Sequence, residues 1–118
     1  MGILLKDAKD ILNARILTDH YLPEFIIDNI ICSELMSDIL AYAKNVDNTA
    51  LLTSLNNAQV LRTAEMVDIK CVIFARNKPV NQNLIDIAED IGITLLNSPL
   101  SIFSAAGRLY MAISKTNS

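Results

Sequence analysis

Lys70-Cys71-Val72-Ile73-Phe74-Ala75 is the stretch that decides the fold. It is short, rich in β-branched and aromatic residues, and reads as a strand. Because it is almost wholly apolar, with no alternation, both of its faces must be covered. Parallel sheets flanked by helices have that property. On its upstream side Val60, Leu61, Ala64 and Val67 recur at helical spacing behind a capping-box pair, Asn56 and Gln59. Before that helix, Thr49-Ala50-Leu51-Leu52-Thr53 reads as another strand. On the downstream side Asn81 is placed to cap a helix whose Leu84, Ile85, Ala88 and Ile91 face inward. Gly92 stands where the chain needs positive φ to leave that helix, and Ile93-Thr94-Leu95-Leu96 is a short strand.

The alternation extends to both sides. Phe25 to Ile31 is a β-branched run of strand length. Ser33 then offers an N-cap, Leu35, Met36, Ile39, Leu40 and Ala43 recur at helical spacing, and Asn45 can end the helix. Ser98-Pro99 is a helix start, with Ser at the N-cap and Pro at N1, followed by a stripe of Ile102, Phe103, Ala106, Leu109, Tyr110 and Ile113. Strands joined by helices of this length require right-handed parallel crossovers. The predicted fold class is therefore α/β: a small single-domain sandwich of two or three layers over residues 1–118, with a mostly parallel sheet and alternating βα units. Residues 1–23 carry weaker signals: a helix over Ile3–Leu12, a short strand at Arg15-Ile16-Leu17 and a turn from Thr18 to Pro23.

A chain of 118 residues has room for one domain, and area scaling predicts roughly 6,300 Å² exposed against about 19,000 Å² for the extended chain. At 52% apolar and 19% charged residues, the chain is predicted to fold. Asp28, Glu34, Asp38 and Lys44 interrupt the richest apolar stretch, so no membrane span is expected. Residues 1–13 lack the apolar block of a signal peptide, and a cytoplasmic location is expected. Ten basic and thirteen acidic residues give a net charge of −3. Neither half is a basic arm, so nucleic acid is not an expected partner. Cys32 and Cys71 are expected to be buried as small hydrophobes. With a single histidine, His20, and no CxxC or HxxxH spacing, neither a metal nor another cofactor is expected. His20, in the predicted turn beside Tyr21, is read as exposed or capping rather than catalytic.

Three glycines, Gly2, Gly92 and Gly107, cannot build a phosphate-cradling P-loop or a GxGxxG turn, and no GxSxG elbow or kinase catalytic loop occurs. What remains is geometric, because open parallel sheets bind ligands beyond the carboxyl ends of their strands. That edge would collect Ser33, Thr53, Ser54, Asn56, Arg76, Asn77, Lys78 and Ser98, a set of hydroxyls, amides and two cations suited to a phosphate group. Three helix termini contribute at most about 3 kcal/mol, short of the ~4 kcal/mol of millimolar affinity. Charge-assisted bonds from Arg76 or Lys78 must supply the rest. A second surface is the last helix, where Phe103, Tyr110 and Met111 lie on or near the apolar stripe and Gly107 permits close backbone approach. It is read either as packing on its own sheet or as a subunit contact.

The stretch Leu35-Met36-Ser37-Asp38-Ile39-Leu40-Ala41-Tyr42-Ala43 resembles a segment of the DRTGG domain family in its small stand-alone form. The likeness continues through Leu51-Leu52-Thr53, Gln59-Val60-Leu61-Arg62-Thr63-Ala64-Glu65-Met66, Asp68-Ile69-Lys70 and Arg76-Asn77-Lys78-Pro79. It ends with Gly92-Ile93, Leu95-Leu96, Phe103 and Gly107-Arg108-Leu109-Tyr110, so it covers roughly residues 30–112. The resemblance implies an α/β domain, similar in fold to the N-terminal domain of HPr kinase/phosphorylase. The family also occurs as a module in pyrophosphatases with nucleotide-sensing CBS domains and in phosphotransacetylases. It implies a regulatory or interface-forming role and brings no catalytic residues; the kinase activity of the larger relative belongs to a separate P-loop domain. The chain departs from the family in having no Gly-Gly pair, hence no DRTGG motif, and in carrying Asn77 where relatives often have Gly.

The expected function is thus a non-catalytic regulatory or assembly domain, a homodimer whose sheet edge binds a phosphate-bearing, nucleotide-like small molecule. The alternatives are a purely structural protein-interaction subunit without a ligand and, behind both, a phosphate-ester enzyme using Arg76 and Lys78. Glu65 is expected to pair with Arg62 or Lys70 on an ion-paired helix face.

Overall fold

In the computed structural model, which describes residues 2–19, 21–42 and 47–116, the Cys71–Phe74 run is the central strand of a five-stranded sheet. Along the chain come β1 (Ile3–Leu4), α1 (Leu5–Ile11), β2 (Arg15–Ile16), β3 (Ile26–Ile27), β4 (Asn29–Cys32) and α2 (Met36–Tyr42). They are followed by β5 (Thr49–Thr53), α3 (Ala58–Met66), β6 (Cys71–Phe74), α4 (Gln82–Ile91), β7 (Thr94–Asn97) and α5 (Ile102–Thr116). The main sheet runs β2-β7-β6-β5-β4. Strands β4 to β7 are parallel, in the register Ala50↔Cys71↔Thr94. Every residue of β5, β6 and β7 is buried, as the apolar run requires.

The strand order explains the layers. From β4 to β7 each crossover advances one place in the same direction, so α2, α3 and α4 share one face. Ile39, Val60, Leu61, Ala64, Leu84 and Ala88 meet Leu51, Val72, Phe74 and Leu95 there. The opposite residues of the same strands, Ala50, Leu52, Cys71, Ile73 and Leu96, meet Leu5, Ala8 and Leu12 beside α1 and Ala105 and Leu109 of α5. The result is an α/β/α sandwich exposing 6277 Å², close to the scaling expectation. Among the described residues no helix is long and apolar enough to cross a membrane.

Several boundaries differ from expectation, each with a local reason. The Phe25–Ile31 run is two strands. Asp28 leaves the line by donating its N–H to the Asn48 carbonyl (2.9 Å) and accepting from Asn48 Nδ2 (3.0 Å). Ile26–Ile27 instead pairs antiparallel with Ile3–Leu4, which draws the first two residues of the predicted Ile3–Leu12 helix into a strand. The short strand at Arg15–Ile16 exists, but it lies antiparallel to β7. Asn57, not Asn56, caps α3, accepting from the Val60 N–H at 3.2 Å. The last helix starts at Ile102, where the Ser101 hydroxyl accepts from the Ser104 N–H, rather than at Ser98-Pro99. Asn81 and Gly92 stand as expected. Asn81 accepts from the Leu84 N–H (2.9 Å), and Gly92 takes φ 75° at the end of α4. Lys70 pairs with Asp68 at 2.8 Å rather than with Glu65. Cys71 is buried, its thiol pushed up to about 12 by desolvation, whereas Cys32 lies exposed at the end of β4. The expected roles of His20 and Asn45 lie outside the described residues.

Candidate functional site

The carboxyl ends of β4 to β7 do face one edge, but the unidirectional strand order leaves no reversal point, so the edge is a shelf rather than a crevice. Much of its polar equipment bonds within the chain. Ser98 is wholly buried; its hydroxyl donates to the Leu12 carbonyl (2.7 Å) and accepts from the Leu100 N–H (3.2 Å). Its hydroxyl thus joins the end of the first helix to the β7–α5 connection, and it is withdrawn as a ligand contact. Ser33 closes a local turn, accepting from the Leu35 N–H at 3.0 Å. Asn56 Nδ2 donates to the Pro79 carbonyl at 2.6 Å.

Thr53 and Ser54 are occupied by a residue the sequence reading did not include. The Thr53 hydroxyl donates to Glu34 Oε2 (2.8 Å), the Ser54 N–H reaches the same carboxylate at 3.1 Å, and the Ser54 hydroxyl donates to Glu34 Oε1. Partial burial pushes the Glu34 carboxyl up. The hydrogen bonds from the Ser54 and Thr53 side chains and the Ser54 and Leu55 backbone outweigh that and hold its pKa below the ordinary carboxylate value. A carboxylate of the chain itself thus takes the donors expected to meet a phosphate. The only signal available was that Glu34 directly follows the N-cap candidate Ser33.

The loop after β6 remains. Arg76 and Asn77 both adopt left-handed backbone, with φ 66° and 50°, a conformation Asn tolerates and Arg seldom adopts. Two bonds impose it. The Arg76 N–H donates to the Leu100 carbonyl (2.7 Å) and the Asn77 N–H to the Ser98 carbonyl (2.8 Å). On the far side Asn97 Nδ2 donates to the Lys78 carbonyl (2.9 Å), and the Asn56–Pro79 bond completes the tether. The buried Asn97 Oδ1 has no hydrogen-bond partner among the described residues. With the backbone held by the β7–α5 connection, by Asn97 of β7 and by the loop after β5, the exposed Arg76 and half-buried Lys78 side chains make no ion pair among the described residues. The shelf therefore presents two cations on a fixed loop. No cluster of three His, Cys, Asp or Glu residues able to hold a metal occurs among the described residues.

The second predicted surface has a different character. Phe103, Tyr110 and Met111 are 88%, 72% and 59% exposed, and a groove of about 890 Å³ runs between α5 and α1. Gly107 does not pack on the sheet: a Cβ built on it would meet nothing within 4 Å. Its expected neighbour in the chain's own core is therefore absent.

No protein-family model and no curated protein matches the chain. A solved structure does. The chain is similar to the CBS and DRTGG domains of the regulatory region of Clostridium perfringens pyrophosphatase, crystallised with its activator diadenosine tetraphosphate. The TM-score is 0.74 at 14% identity over 93% of this chain and 46% of that one, so the chain spans about half the length of its structural neighbour. At this identity the likeness establishes a shared fold, and the chain has the DRTGG-like α/β fold that the sequence resemblance implied.

Proposed function

We propose that this chain is a cytoplasmic regulatory domain that binds a phosphate-bearing, adenine-nucleotide-like molecule at the β6–α4 shelf, works as a homodimer and turns over no substrate. The observation that carries the reading is the tethered Arg76-Asn77-Lys78 loop, whose strained backbone holds two cations where a parallel sheet presents its strand ends. The neighbour's regulatory role and its dinucleotide activator support the choice of ligand class. Calorimetric titration of the chain with diadenosine tetraphosphate or ATP should give saturable heat at or below millimolar ligand, lost in Arg76→Ala/Lys78→Ala. Absence of heat at that concentration would overturn it.

The alternative, a structural interaction subunit without a ligand, draws its support from Glu34, which already neutralises the Thr53 and Ser54 donors. Turnover of a phosphate ester abolished by Arg76→Ala would favour the enzyme instead.

A further inference from the structure

The sequence Phe103, Gly107, Tyr110, Ser114 advances by four, three and four residues, which sets these positions along one face of α5, and all four are exposed. This is the spacing of the seam between two packed helices, and Met111 lies beside it. The buried face of the same helix, Ala105 and Leu109 with Ile102, Ala106, Ala112 and Ile113 partly covered, is fully accounted for by the sheet. The exposed seam therefore has no partner within the described chain.

Gly107 decides what covers it. A glycine in the middle of a 15-residue helix costs about 1 kcal/mol relative to alanine, and here it gives nothing in return within the chain, since a side chain would meet open space. The notch it leaves fits a large residue arriving from outside. We infer that the outer face of α5, with the adjoining groove against α1, is a two-fold interface in which the α5 helices of two copies lie antiparallel, Tyr110 of each seated over Gly107 of the other. This geometry rests on the homodimer reading and supplies its contact. In this arrangement the same spacing sets Phe103 opposite Ser114 of the second copy, so one seam covers both helices.

The charges around the groove favour a second copy as occupant. The α1 wall carries Asp7 and Asp10 and the α5 flank carries Arg108 and Lys115, a balanced set on a chain of net charge −3. Arg108 Nη1 is held to the Ile11 carbonyl at 3.1 Å, at the border between the two walls. Two copies meeting here bring equal numbers of both signs, so their net negative charge does not oppose the contact locally. The seam needs the groove walls as well to reach the area of a stable contact. Phe103 and Tyr110 alone bring about 300 Å² to a patch that needs about 800 Å² on each copy.

The test is sedimentation of the purified chain and of Gly107→Gln and Phe103→Asp at tens of micromolar. The unaltered chain should run at twice the 13.0 kDa of one copy and both variants at 13.0 kDa. Gly107→Gln, which has free space in the single copy, should keep its helical circular dichroism and melt no lower than the unaltered chain at the lowest concentration. If the unaltered chain sediments at 13.0 kDa, both this interface and the homodimer reading fall. If all three pair, the homodimer stands and this face is wrong.

Discussion

Removing the Ser98 hydroxyl tests whether the strand edge is held together from within. Ser98 is wholly buried, and its Oγ joins two backbone groups distant in sequence, the Leu12 carbonyl at 2.7 Å and the Leu100 N–H at 3.2 Å. Ser98→Ala leaves both without that partner; orphaning the buried bond to the Leu12 carbonyl costs about 1–3 kcal/mol and the part-buried Leu100 N–H about 1 kcal/mol, giving about 2–4 kcal/mol together. An unfolding entropy of about 2.1 cal/mol/K per residue makes 1 kcal/mol worth about 4 °C in a chain of this size, so the melting midpoint should fall by about 8–16 °C. Differential scanning calorimetry reads this directly. Ser101→Ala, which removes an exposed cap from α5, is the comparison and should cost about 1 kcal/mol. A midpoint within about 2 °C of the unaltered chain, together with lost nucleotide binding, would show that Ser98 faces a ligand and that the structural role assigned to it is wrong.

Glu34→Gln should lower stability at neutral pH by about 1 kcal/mol, since the exposed carboxylate is screened. Because folding lowers the Glu34 pKa, its contribution is fully present above the ordinary carboxylate value and is lost as pH falls through the folded-state value. Chemical denaturation from pH 7 to pH 3 should therefore show the gap between the two proteins closing with acid; a constant gap would contradict the network. A thiol reagent should modify one cysteine of the folded chain, Cys32, and reach Cys71 only after denaturation; two equivalents before unfolding would place Cys71 outside the core. Gly92→Ala forces a side chain into φ 75° and should cost about 1 kcal/mol, or about 4 °C by calorimetry; an unchanged midpoint would mean that the turn after α4 relaxes freely.

How much of this was legible in the sequence follows from the range of the interactions. The parallel strands and the α4 caps were legible because burial on both faces leaves an apolar run and because Asn81 and Gly92 act within a turn of their own positions. The split at Asp28 was not, since it depends on Asn48, and the choice between Asn56 and Asn57 as cap turns on a carbonyl at Pro79. The strand-edge site was legible as a collection of residues but not in its wiring. Nothing local reveals that Glu34 will meet Ser54, or that Ser98 will turn inward to Leu12. Gly107 posed the opposite problem, because a helical glycine signals close packing without saying whose backbone or side chain comes near.

The antiparallel union of β2 with β7 bears on how the molecule acquires its shape. The α1 end is stitched to residues far along the chain: Leu12 accepts from a residue 86 positions onward, and Ile11 from one 97 positions onward. The helices and parallel strands between them can assemble stepwise as they emerge, each beside its predecessor. β1 can pair early with β3, but β2 and the inner face of α1 stay uncovered until β7 offers its free flank and α5 closes over Ala8 and Leu12. Docking of β2 and α1 against β7 and α5 is then a late event of folding, and loss of α1 would leave part of the bed of α5 exposed.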